Sequence, residues 1–204
     1  VVRAAMARRA AVARSRWRCS SSTSGWAMGG GNRNLDAVAG HGVYPGSFDP
    51  LTVAHLAIAD AAREQCGLVR LDLVVSHVAL AKEDRRQTPV AERLARIDRA
   101  SVGRPWLRAR DTGAQLLADI AAGYDLLVLG ADKWHQLHDP RFYGGSEEAL
   151  RAALARLPPL AVAPRAGVAL PDDGLATLLD VDPVHHAVSS TGVREGRTEW
   201  LAGG

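Results

Sequence analysis

Residues 43–56 read VYPGSFDPLTVAHL, and how this stretch is read decides the fold. Val43 and Tyr44 form a short apolar strand that runs into Gly46. Gly46 permits a sharp turn and a close backbone approach to a ligand. Asp49-Pro50 favours a further turn, and Thr52 is a helix-capping residue that puts His55 in the first turn of the helix behind it. The free N–H groups of that helix start and the positive end of its dipole face the space beyond the strand, where an imidazole can add one more donor. The stretch therefore reads as a phosphate cradle. Taken alone it reads equally well as a capped helix with a satisfied histidine.

Working outward, short apolar runs alternate with amphipathic ones. Residues 53–65 carry Val53, Leu56, Ala57 and Ala61 on one helical face, and 71–75 (LDLVV) read as a second strand. Thr88-Pro89 is a helix start, with Thr88 as cap and Pro89 in the first helical position, followed by Val90, Leu94 and Ile97 at helical spacing. Residues 106–109 (WLRA) are expected to be a strand, 112–122 a helix, and 125–130 (DLLVLG) a strand covered on both faces. Residues 146–157 are expected to be helical, 160–165 (LAVAPR) a strand, and 191–201 the last helix. Strands alternating with helices of this length predict an α/β fold, a parallel sheet with helices on both faces. Ligands of such sheets bind beyond the C-terminal strand ends, so segments 45–55, 130–134 and 189–194 are expected to meet there.

Charge divides the chain in two. Residues 1–42 contain seven arginines against Asp36 alone, a net +6, whereas the remaining 18 basic and 21 acidic residues give −3. The body thus offers no electrostatic footprint for nucleic acid. Residues 1–41, rich in Arg, Ala, Ser and Gly, are expected to be a disordered extension, translated upstream of a start at Met28 or serving as an organelle transit sequence; residues 42–204 form the domain. No apolar run approaches the roughly 20 residues that cross a bilayer. Cys19 and Cys66 form no CxxC or Cys/His cluster, so neither a disulfide framework nor a zinc site is indicated, and a reducing cytoplasmic setting fits.

The stretch GSFDPLTVAH resembles the signature of the nucleotidyltransferase superfamily with a (His/Thr)-x-Gly-His motif after the first strand, and VYPGSFDPLT is similar to the form found in phosphopantetheine adenylyltransferase. VSSTGVREG, 188–196, resembles the Ser-Ser-Thr-x-(Ile/Val)-Arg motif of the nicotinate and nicotinamide mononucleotide adenylyltransferases, and LGAD, 129–132, their Gly-x-Asp segment. By themselves the last two also read as a Ser/Thr-rich cap with a solvated arginine and as a helix-capping aspartate.

The resemblance implies a Rossmann-like fold, ATP as donor, a phosphorylated small molecule as acceptor, and Mg²⁺ held mainly by the ATP phosphates. It implies that Gly46, Ser47, Phe48, Thr52 and His55 surround phosphate. Gly130 and Asp132 would face the nucleotide, with Asp132 on ribose hydroxyls. Ser189, Ser190, Thr191 and Arg194 would hold the departing β- and γ-phosphates. Lys82 falls where these enzymes place a phosphate-binding lysine, although among its charged neighbours it reads more readily as a solvated loop lysine; Trp134, Phe142 or Tyr143 read equally as stacking on an aromatic ring and as ordinary packing. Two departures matter. Ala54 replaces the motif glycine, which leaves open a nucleotide-binding module impaired in catalysis. The middle region, GADKWHQLHDPRFYGG, lacks the arginine-rich segment of the phosphopantetheine enzyme, which favours a pyridine mononucleotide as acceptor over phosphopantetheine.

Overall fold

A computed structural model of the protein describes residues 40–77, 87–170 and 174–203. Six strands form one parallel sheet: β1 Gly40–Gly46, β2 Leu68–Ser76, β3 Leu107–Thr112, β4 Leu126–Gly130, β5 Leu160–Ala163 and β6 Ala176–Leu178. Their order is β3-β2-β1-β4-β5-β6, with every neighbouring pair parallel. The helices are α1 Val53–Cys66, α2 Val90–Ala100, α3 Leu117–Ile120, α4 Ala131–Leu137, α5 Glu147–Arg156 and α6 Ser190–Arg194. The expected α/β architecture is present. β1 begins at Gly40, so two residues assigned to the N-terminal extension belong to the sheet, while residues 1–39 lie outside the described part.

The alternation of side chains along the strands divides the core between the two sheet faces. Tyr44, Leu71, Leu73, Val75, Leu126 and Val128 pack with Ala59, Ala62 and Cys66 of α1 and Ile97 of α2. Val43, Val74, Leu127, Leu129, Leu160 and Val162 pack with Ile120 of α3, Trp134 and Leu137 of α4, and Leu150 and Leu154 of α5. Helices thus change face between β1 and β4, the two central strands. A crevice opens where their C-terminal ends, Gly46 and Gly130, diverge.

Besides the bounds of the other strands, four elements differ from expectation, each for a local reason. Pro89, not Thr88, is the N-cap of α2. Thr88 turns instead to Asp49, donating from its hydroxyl to Oδ1 at 2.7 Å and from its backbone N–H to Oδ2 at 3.3 Å. The helix expected over 112–122 shrinks to α3. β3 runs on to Thr112, whose Oγ1 accepts Ala114 N–H at 3.1 Å while Ser76 Oγ donates to Ala114 O at 2.9 Å, so side-chain hydroxyls replace the helical bonds. The helix expected over 191–201 breaks after Arg194. Gly196 adopts φ 108°, and the chain folds back so that Trp200 lies on Gly192, where a Cβ would stand 2.3 Å from the indole. β6, only three residues long, carries too short a pattern to be read from sequence.

One charged group is buried inside the sheet. Asp72 of β2 accepts two bonds from Arg70, both 2.7 Å, and one from the Tyr124 hydroxyl at 2.8 Å, with Arg110 Nε 3.3 Å away. Burial alone would raise the Asp72 carboxyl, but bonds from Arg70 and Tyr124 and the charges of Arg70 and Arg110 outweigh it and hold it below the usual carboxylate range. The Tyr124 phenol, by burial first and then by Asp72, is pushed up to about 12. A depressed carboxyl contributes stability that is present above the unfolded value of about 3.9 and is lost as pH falls through the folded value. Asp72→Asn is therefore expected to cost about 3 kcal/mol at pH 7 and to flatten the loss of stability below about pH 4, as read by urea unfolding across pH. An unchanged acid limb in the variant would refute this account of the cluster.

Candidate active site

The loop after β1 is shaped from behind by aromatic packing. Phe48 is buried with φ 44°, a left-handed conformation uncommon outside glycine. Its ring lies under Gly46, where a Cβ would approach within 2.7 Å of Cζ. It also meets Tyr44 edge-on at 5.5 Å and His55 edge-on at 5.0 Å. Gly46 is therefore required by Phe48, and Phe48 supports the loop from the core without forming part of the cavity wall.

Thr52 caps α1 and is fully buried. Its backbone N–H donates to His55 Nδ1 at 3.0 Å, and its Oγ1 lies 2.8 Å from the same nitrogen. A ring nitrogen that accepts an N–H carries no proton, so the proton of the neutral imidazole sits on Nε2. Thr52 thus acts on the site through His55, fixing its tautomer, and is not itself on the cavity wall.

The C-terminal motif is fastened to this loop. Ser189 caps α6, accepting Gly192 N–H on Oγ at 3.0 Å. Ser190 Oγ donates to Pro50 O at 2.8 Å. Arg194 donates from Nη1 to Asp49 O and from Nη2 to Thr191 Oγ1 at 2.7 Å. Beyond it, Leu201 pairs with Thr52 and Ala202 N–H donates to Leu51 O at 3.1 Å.

These pieces enclose one cavity of about 270 Å³. The first segment contributes Gly46, Ser47, Ala54 and His55; the second, Gly130 and Asp132; the third, Ser189, Ser190, Thr191 and Arg194. The three segments singled out in the sequence therefore meet. Phe142 and Tyr143 add an aromatic wall. Trp134 does not: it is buried in the core against His138, ring centroids 4.3 Å apart, because α4 turns its apolar face inward. Lys82 lies outside the described residues.

Other wall residues carry little signal in sequence. Arg165 falls inside the run read as a strand, yet β5 ends at Ala163, which puts Arg165 on the rim. Lys133 follows Asp132 on α4, and Tyr44 lies two residues before the end of β1. Burial first, then Asp132, raises the Tyr44 phenol, while Arg165 acts the other way, so the hydroxyl stays protonated at neutral pH. With Lys133, Arg165 and Arg194 against Asp132, the wall carries a net positive charge suited to a polyanion. Among the described residues no cluster of three or more His, Cys, Asp or Glu side chains forms a metal cage, and no helix is long and apolar enough to cross a membrane.

The chain is similar to known proteins. Two relatives, from two strains of Dehalococcoides mccartyi, are each described as "Probable nicotinate-nucleotide adenylyltransferase". They are 29% and 28% identical over 145 residues, which covers 64% of this chain and 67% of each relative. The model of the family described as cytidylyltransferase-like matches residues 43–196, from the last part of β1 to just past α6. The chain belongs to the cytidylyltransferase-like family and is a nucleotidyltransferase.

Proposed function

We propose that the protein transfers AMP from ATP to nicotinate mononucleotide, or to its nicotinamide counterpart, and releases pyrophosphate. The observation that carries this reading is the meeting of His55, Asp132 and Arg194 in one positively charged cavity at the crevice between β1 and β4. Two further features support the acceptor: the aromatic wall of Phe142 and Tyr143, which suits a planar ring, and the names carried by the relatives.

In the proposed reaction an oxygen of the acceptor phosphate attacks the α-phosphorus of ATP in line. The new P–O bond forms as the bond to the bridging oxygen breaks, and pyrophosphate leaves with the electron pair. The nucleophile is already an anion, so positioning and charge neutralisation supply the catalysis. His55 donates from Nε2 to a phosphate oxygen. Arg194 and the hydroxyls of Ser189 and Thr191 hold the departing phosphates. The Ser190 hydrogen is committed to Pro50 O, which makes Ser190 a fastener of the loop. Gly46 and Gly130 keep the backbone near the ligand, and Asp132 accepts from ribose hydroxyls. A wall with one carboxylate among several cations suits Mg²⁺ bound chiefly through phosphates and water; bound so, it neutralises phosphate charge.

A panel of nicotinate mononucleotide, nicotinamide mononucleotide and phosphopantetheine, each with ATP and with CTP, tests the proposal. Pyrophosphate release with ATP and a pyridine mononucleotide is expected to exceed the other pairings by about tenfold or more in kcat/KM. Release confined to phosphopantetheine would replace the acceptor. ATP binding without release for any acceptor would indicate a binding module, with Ala54 on the cavity wall the first residue to revert to glycine.

A further inference from the structure

Arg93 looks from sequence like one of several charges on an amphipathic helix. It is 2% exposed, the largest of the fully buried side chains. Its Nε donates to Thr88 O at 2.9 Å and its Nη1 to Ser47 O at 3.0 Å. Nearby, Asp49 is buried and grips Thr88 through both carboxylate oxygens. Burial disfavours the Arg93 charge, and the Asp49 carboxylate acts the other way.

The loop between β1 and α1 is therefore pinned from two sides. Arg93 takes the Ser47 carbonyl, and Arg194 takes the Asp49 carbonyl. Between them sits Phe48 in its left-handed conformation, which does not persist without surrounding support. A carbonyl and the N–H of the same trans peptide point in opposite directions, so a bond that fixes Ser47 O also fixes the direction of the Phe48 N–H. The fork geometry matters: the planar guanidinium of Arg93 reaches the Thr88 and Ser47 carbonyls at set angles, whereas an ammonium cannot hold the same two-point geometry.

We propose that Arg93 is a positioning residue for nucleotidyl transfer, holding the Ser47 carbonyl so that the loop presents Ser47 and His55 to the triphosphate. The inference rests on the reading that this cavity takes ATP. Arg93 touches neither the cavity nor the reacting atoms, and it acts through the backbone of the loop.

Calorimetric binding of ATP and, separately, of nicotinate mononucleotide to the full chain distinguishes positioning from general support of the fold. Arg93→Lys is expected to weaken ATP binding about tenfold while leaving the acceptor within about threefold of wild type. Arg93→Ala is expected to lose more and to regain ATP affinity with millimolar guanidinium ion, which fills the vacated space. A folded Arg93→Lys protein with wild-type ATP affinity, or with both ligands weakened equally, would overturn the inference, as would failure of both variants to fold. A wild-type protein that did not bind ATP would remove the proposed function and this inference with it; ATP binding indifferent to Arg93 removes this inference alone.

Discussion

His55→Ala is expected to lower turnover by about 10²–10³-fold, the loss typical of removing one preorganised donor to developing charge. The fold should survive. The imidazole bonds to Thr52 within its own helix turn, and its ring contacts are with Phe48 and Tyr44, which pack deeper in the core. The variant is therefore expected to melt within a few degrees of wild type while pyrophosphate release collapses. His55→Gln separates two contributions. Gln can donate toward phosphate, but it is not held by Thr52 in the same orientation, so it is expected to recover only part of the loss. Wild-type turnover in a folded His55→Ala protein would contradict the role given to the imidazole.

The second large effect is expected at Arg194. Its guanidinium bonds both the Asp49 carbonyl and the Thr191 hydroxyl, so it joins the C-terminal motif to the first loop while lining the cavity. Arg194→Ala removes a cation from the phosphate site and the bond that pins the Asp49 carbonyl. A loss of about 10²-fold or more in kcat/KM for ATP is expected. Arg194→Lys keeps the charge but not the fork, and is expected to recover only a fraction of that loss. Lysine restoring wild-type kcat/KM would reduce the residue to a point charge and remove its joining role.

Much of this site was legible because it rests on local chemistry. The Thr52–His55 spacing, the glycine at the end of β1, and the serine-rich turn before Arg194 each announce a helix start that offers donors. Strand-helix alternation then places those starts at one edge of the sheet. What sequence leaves out depends on tertiary partners. Thr52 and Phe48 read as phosphate contacts, and the structure puts them behind the residues that line the cavity. For Trp134, read equally as a stacking ring and as packing, the inward turn of α4 gives a place in the core. Arg93 was invisible because nothing in VAERLARIDRA distinguishes a buried guanidinium from its solvated neighbours; only the carbonyls of Ser47 and Thr88 do.

Three distant segments build one pocket, and there we propose that the α-phosphorus of ATP passes to a phosphate acceptor. Isotopically labelled phosphorus follows that transfer. With nicotinate mononucleotide as acceptor, label placed at the α position of ATP should appear in the dinucleotide and label at the γ position in pyrophosphate. Transfer of the γ-label to the acceptor, or no transfer to any phosphorylated acceptor by a protein that binds ATP, would contradict it.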